Sequence, residues 1–385
     1  MLQPKMPQLP RPNSRRRVLL LTIAALSFSI ASCGGGGNTG GTAAGGGETS
    51  PAGSSSSPAA STSSSGGNGA NVSLLGTGGT FPQPLYQTWF TDYSRKNPGV
   101  RITYQALGSA AGIQQFTQNL VDFGASDVAM TDQQIAKVQR GVVLLPMTAG
   151  AIVIAYNVAG VPTGLKLSRQ VYPAIFLGTI KNWNDPRIAK DNPGVKLPNL
   201  PITVVHRSEG SGTTGAFTGH LSAIDPTWKS QVGAGTTVNW PTGVGAKGNA
   251  GVTQLIKQTN GSIGYVEYGY AETQKVPFAQ LQNKAGKYVE ATLQTASNTL
   301  SAVTLPADLR AFITDPSGAN SYPIVTYTWL LAYKKYDNAN KAKVLKDVIN
   351  YGLTQGQKDS ARLGYVPLPS NVVSKVQAAA NTIQP

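Results

Sequence analysis

The chain has 385 residues, a formal charge of +15, 40% hydrophobic residues and a single cysteine. One cysteine excludes an internal disulfide, and with only two histidines beside it no metal-ligand set is available. The basic balance favours anionic partners, polymeric or small. The Lys and Arg residues are dispersed, however, with no basic helix and no basic–aromatic alternation, so nucleic acid is not indicated as a partner.

Residues 1–32 begin with a basic stretch (Lys5, Arg11, Arg15, Arg16, Arg17) and continue as an apolar run, Val18 to Ile30. The run is too short to span a bilayer comfortably and is followed by small residues, the pattern of a secretory signal with its cleavage site; the alternative is a signal anchor. Ser14 to Leu19 also loosely matches a twin-arginine signal. Ile30-Ala31-Ser32-Cys33 resembles the lipobox of bacterial lipoproteins, with Ile30 where that pattern prefers Leu. The resemblance implies that Cys33 is lipidated and becomes the first residue after cleavage. Residues 34–70 are almost entirely Gly, Ser, Thr and Ala, with too little apolar surface to offset ordering, and read as a flexible tether. The first 32 residues hold five Lys/Arg and no acids, which leaves +10 on the remainder. The folded part is then residues 71–385, larger than one ordinary domain and suited to two lobes.

Strand-like and helix-like segments alternate through this part, which predicts an α/β fold. Val72 to Leu75 reads as a strand and Gly76-Thr77-Gly78-Gly79-Thr80-Phe81 as a turn. Tyr86, Trp89, Phe90 and Tyr93 then share one helical face, with Pro82 and Pro84 near its first turn. Arg101 to Gln105 alternates as a strand. Gly108-Ser109-Ala110 leads into a helix with Ile113, Phe116 and Leu120 on one side. Val121 to Asp127 is a short apolar segment flanked by Asp122 and Asp127, where an aspartate is usually a cap or turn residue. Ile202 to Val205 reads as a buried strand, and Ala216, Phe217, His220, Leu221 and Ile224 as a helix face.

Between those last two lies Arg207-Ser208-Glu209-Gly210-Ser211-Gly212-Thr213-Thr214. A helix N-terminus presents unpaired N–H groups and the positive end of a dipole, and an arginine at the same turn can grip an oxyanion. Three times, at Thr80, at Ser109 and at Ser211 to Thr214, a strand passes through a Gly and Ser/Thr turn into a helix. Each hydroxyl stands where an N-cap would be. One such turn reads as plain capping; three, one of them with an arginine, favour a shared anion site.

Other readings of the same loop are weaker. Gly210-x-Gly212-x-x-Gly215 matches the dinucleotide fingerprint, but no strand ending in an acid follows at the required distance. Glu209 occupies the first Gly position of a nucleophile elbow around Ser211. A Ser211–His206 pair is conceivable; His220 falls on the core face of its helix and reads as a packed residue.

At this point the residues resemble a family. Gly76 to Pro82, Val121 to Asp127 and Arg207 to Thr213 are similar to the three signatures of the phosphate-binding subunit of bacterial phosphate ABC transporters. Asn239-Trp240-Pro241, Lys247-Gly248-Asn249 and Gly261 to Tyr268 match as well, in order across nearly all of residues 71–385. The resemblance implies a type II periplasmic-binding-protein fold, with two α/β lobes joined by crossover strands near residues 150–156 and 321–327, and phosphate between them. One lobe would be residues 71–149 plus 322–385, the other 150–321. Carried over by motif, Thr80, Phe81 and Ser109 would bind phosphate from the first lobe, and Asp127 would accept a hydrogen bond from a protonated phosphate oxygen. Arg207 would supply the guanidinium, and Ser211, Gly212 and Thr213 hydroxyls and N–H groups. The family usually has Asp where Glu209 stands; there it pairs with the arginine and contacts ligand, so Glu209 is expected to hold Arg207, with its ligand contact open. Ala110 stands where some relatives have a second Ser.

The residue types fit the ligand. Phosphate near neutral pH always carries a proton and sulfate none, so a buried carboxylate accepts a hydrogen bond from the first and meets a bare oxygen on the second. The expected function is an extracytoplasmic, lipid-anchored protein that captures inorganic phosphate and feeds the transmembrane subunits of an ABC permease, with no cofactor, no metal and no catalytic residue. The competing readings are a secreted phosphatase and a phosphate sensor on the same fold.

Overall fold

The computed structural model describes residues 71–385. The signal, the lipidation site at Cys33 and the tether expected at 1–70 lie outside the described residues.

The chain begins as β1 (Val72–Gly78), α1 (Gln83–Lys96), β2 (Val100–Gln105), α2 (Ser109–Thr117) and β3 (Phe123–Ser126). In α1 the face Tyr86, Trp89, Phe90 and Tyr93 is buried, and the Trp89 indole donates to Gly356 O at 2.8 Å. β2 alternates between half-buried and exposed residues, as its period of two requires. α2 stops at Thr117: Asn119 adopts φ 57°, which ends the helix and leaves Leu120 62% exposed. Leu120 therefore does not continue the buried face of Ile113 and Phe116, as the spacing alone suggests.

β4 (Val142–Asn157) follows, sixteen residues of which all but the last are buried. Such a near-continuous apolar run belongs to a strand covered on both faces. After two short helices come β5 (Thr203–Arg207), α3 (Gly212–Ile224), β6 (Val244–Ala246), α4 (Gly248–Gln258), β7 (Ser262–Glu267) and α5 (Tyr268–Thr273). β8 (Val325–Tyr333) and α6 (Ala339–Leu353) lie in the C-terminal part.

The eight strands form one sheet in the order β2-β1-β3-β8-β4-β7-β5-β6. β1 pairs in parallel with β2 and β3, and β5 in parallel with β7 and β6. The central pairs, β3 with β8, β8 with β4 and β4 with β7, are antiparallel. β4 belongs to both halves of the sheet. It pairs with β8 up to Ala151 and with β7 from Ile152 onward. The β8 register shifts between Thr328 and Trp329, opposite Pro146, which has no N–H for the ladder. This is an α/β protein of two halves around a shared pair of long central strands, the type II periplasmic-binding-protein fold. The parallel strands of each half point their carboxyl ends at the same place, which is where open α/β sheets bind ligands.

Candidate functional site

Three strand-to-helix turns and the end of β3 converge there. Thr80 and Phe81 come from the β1–α1 turn, Ser109 from the start of α2, and Asp127 from just beyond β3. Arg207, Glu209, Ser211, Gly212 and Thr213 come from the β5–α3 turn. All are buried except Glu209, which is half-buried.

Of the three hydroxyls expected as caps, only that of Ser211 is one. Its Oγ accepts the Thr214 N–H at 3.1 Å as the N-cap of α3. This leaves the Gly212 and Thr213 N–H groups as orphan donors of the first helical turn. Thr80 precedes the true N-cap of α1, Pro82, and Ser109 is the first residue of α2 after N-cap Gly108. Their hydroxyls are engaged elsewhere. Ser109 Oγ donates to Asp127 Oδ2 and accepts the Asp127 N–H, both at 3.2 Å. Thr80 Oγ1 accepts from the Asn249 N–H at 3.1 Å and from Asn249 Nδ2 at 3.0 Å.

Asp127 is the one carboxylate at the centre. Oδ1 accepts from Thr328 Oγ1 at 3.0 Å, on β8, and Oδ2 accepts from Ser109. Burial raises its pKa from 3.8 to about 6, opposed by the Thr328 hydrogen bond and the Arg207 charge. Gly212 lets the α3 terminus approach this group, since a Cβ there would lie 2.5 Å from Ser109 Oγ and 2.8 Å from Asp127 Cβ.

Arg207 is locked by its neighbours. Nε donates to Glu209 Oε1 at 2.9 Å, Nη2 donates to the same oxygen, and Nη1 donates to Thr213 Oγ1 at 3.2 Å. A guanidinium has five N–H groups. Those three bonds leave one on each terminal nitrogen, the pair suited to a bidentate grip. Glu209 also accepts the Gly248 N–H, at 3.1 Å on Oε1 and 3.3 Å on Oε2. It stands between Arg207 and the positive end of α4, where a carboxylate is favoured.

His206 and Ser211 are not arranged as a base and nucleophile. His206 Nδ1 lies 3.0 Å from Arg207 O and its ring stacks on Trp240 at 4.9 Å, while Ser211 Oγ is the helix cap. His220 is fully buried, its Nδ1 2.6 Å from Thr314 O and its Nε2 2.8 Å from the Tyr172 hydroxyl. It is a packed core residue, and burial lowers its pKa to about 4.

Three contributors are not assigned by the turn pattern. Thr328 lies inside an apolar strand, with no sequence signal but its hydroxyl. Tyr265 accepts the Arg207 N–H at 3.1 Å and sits 2.5 Å from Thr214 Oγ1. Asn249 belongs to the Lys247-Gly248-Asn249 motif, and its place just inside a helix start after Gly248 is the only local signal of its role.

The turns thus gather buried hydroxyl, N–H and guanidinium donors around the buried carboxylate of Asp127. A family model described as a PBP superfamily domain matches residues 43–355. The chain is 40% identical over 317 residues to the phosphate-binding protein PstS of Pasteurella multocida, covering 80% of this chain and 90% of that one. It is 41% identical over 333 residues to PstS of Methanocaldococcus jannaschii, covering 80% and 85%. The crystal structure of a phosphate-binding protein from Stenotrophomonas maltophilia superposes with a TM-score of 0.63 at 19% identity, over 80% of this chain and 93% of that one, a likeness of fold. The chain belongs to the PBP superfamily and, within it, to the family of PstS phosphate-binding proteins.

Proposed function

We propose that this chain is an extracytoplasmic solute-binding protein that captures inorganic phosphate and delivers it to the transmembrane subunits of an ABC permease. The observation that carries this reading is Asp127, a fully buried carboxylate ringed by Ser109, Thr328, Thr213 and Arg207. Thr80, Phe81, Ser109, Ser211, Gly212 and Thr213 supply hydroxyl and N–H donors, Arg207 supplies two N–H groups, and Asp127 takes the ligand's proton. Glu209 holds Arg207 and the α4 terminus. Binding without turnover is the reading of the same groups, with His206 directed to Arg207 O and Trp240 rather than to Ser211, whose Oγ accepts the Thr214 N–H.

The two lobes of this reading are residues 71–149 with 322–385, and 150–321. Their boundary is supported by the change of partner along β4 at Ala151 and Ile152. Phosphate touching both lobes stabilises the closed state, which the permease reads as loaded. Export by the signal at 1–32 and a lipid on Cys33, followed by the tether, would hold the protein at the outer face of the membrane. No helix among the described residues is long and apolar enough to cross a membrane.

Calorimetric titration of residues 71–385 with phosphate, arsenate and sulfate tests the function. Tight binding of phosphate and arsenate with sulfate silent is expected. Equal binding of sulfate would refute the role of Asp127, and absence of phosphate binding would refute the function itself.

A further inference from the structure

Asn249 is fully buried, and each of its polar groups has a partner at the site. Its N–H and Nδ2 both donate to Thr80 Oγ1, Nδ2 also donates to Thr213 Oγ1 at 3.4 Å, and Oδ1 accepts the Glu267 N–H at 3.0 Å. A hydroxyl oxygen has one proton to donate and two lone pairs to accept with. On Thr80 Oγ1 both lone pairs are taken by Asn249. On Thr213 Oγ1 they are taken by Asn249 Nδ2 and Arg207 Nη1. Neither threonine can then act as an acceptor.

We propose that Asn249 is a positioning residue that turns the Thr80 and Thr213 hydroxyls into obligate donors, so that a proton on the bound oxyanion is left to Asp127. The inference rests on the phosphate reading of the site and adds how its hydroxyl protons are aimed. It also explains why a serine or threonine cage discriminates at all. A free hydroxyl is ambivalent and accepts a P–OH as readily as it donates to a bare oxygen; one capped on both lone pairs is not. Because Asn249 lies on α4 in one half of the sheet and Thr80 after β1 in the other, the cap on Thr80 forms only when the halves are together.

The ionisable groups around Asn249 are Asp127 beyond β3, Arg207 and Glu209 on the β5–α3 turn, Glu267 at the end of β7 and Tyr270 on α5. All are retained when Asn249 is changed, so differences in pH profile between variant and parent report on the hydroxyls.

The test is the phosphate affinity of the parent and of Asn249→Ala across pH 5.5 to 8.5, with thermal melts at each pH. Removing the amide frees one lone pair on each threonine, and these can accept protons from the more protonated phosphate ion. Affinity is expected to fall about tenfold at pH 8.5, as for a lost hydrogen bond to a charged ligand, and by less than about threefold at pH 5.5. Asn249→Leu, which keeps the bulk of the side chain but has no donor for either threonine, is expected to show the same acid shift and serves if the alanine variant does not fold. An equal loss at every pH, or no loss, overturns the proposal for Asn249 while leaving the phosphate site intact. A parent that binds no phosphate overturns the underlying reading instead.

Discussion

Asp127 combines two demands that conflict at the level of a single residue. Its position requires a charge at neutral pH, and its burial opposes one. With a pKa raised from 3.8 to about 6, the folded protein binds this proton more tightly than the unfolded chain does. The stability it contributes is full below about pH 4 and lost as pH rises through about 6, a change of about 3 kcal/mol. His220 runs the other way: its pKa falls to about 4 from 6.5, so its contribution is present above pH 6.5 and lost as pH falls through about 4. The two slopes oppose each other between pH 4 and 6. Asp127→Asn removes one of them. Without phosphate, this variant is expected to melt higher than the parent at pH 8 and then to lose stability steadily on acidification, where the parent changes little. Thermal melts from pH 4 to 8 measure this. An unchanged melting temperature at pH 8 would contradict the burial cost. The same variant can donate as well as accept, so the preference for phosphate over sulfate is expected to shrink, by roughly ten- to a hundredfold for one mispaired buried group.

At the scale of elements, the paired turns and the first residues of α3 and α4 carry the site. Glu209 links two of them, since it holds Arg207 and accepts the first N–H of α4. Glu209→Gln leaves the buried guanidinium without its carboxylate, a change that costs about 3 kcal/mol or more for a buried pair. A bound anion restores a countercharge, so the loss in melting temperature is expected to be larger without phosphate than with it. Equal losses in both conditions would argue against Arg207 as an anion ligand. The elements were legible in the sequence wherever periodicity and punctuation agreed. The α1 face, the alternation of β2 and the β5–turn–α3 unit all follow from spacing plus Gly, Pro and hydroxyl residues. What the sequence did not disclose depends on long-range geometry. Thr80 and Ser109 have the identity of caps but bond across the fold, to Asn249 and Asp127. Leu120 fits the helical period, but Asn119 turns the chain before it. Thr326 and Thr328, two apart on β8, both bond Asp127, but a pairing of β8 with the end of β3 some 200 residues earlier is not encoded in any local pattern.

For the whole molecule, the contact between halves is made of backbone as well as side chains. The Ala110 N–H donates to Gly210 O at 3.1 Å. Gly108 beside it has φ 103°, and a Cβ there would lie 2.7 Å from Gly210 O. Gly108→Ala both strains the backbone and wedges the two turns apart. Weaker phosphate binding is expected, together with loss of any phosphate-induced compaction in solution scattering. Retained compaction would show that this contact does not limit closure.

The position of β8 in the sheet has a consequence for how the chain is made. β8 lies between β3 and β4, yet it follows β4 by more than 150 residues in the chain. Until it emerges, β3 and β4 each present an unpaired apolar edge, and the first half of the sheet has no completed form. Unpaired edges of this kind template association with other chains. The first half of the sheet therefore cannot close until residues 325–385 have been made. Chains cut after residue 320 are expected to aggregate, and chains cut after residue 337 to remain more soluble; fractionation of the two truncations by sedimentation tests this order of assembly.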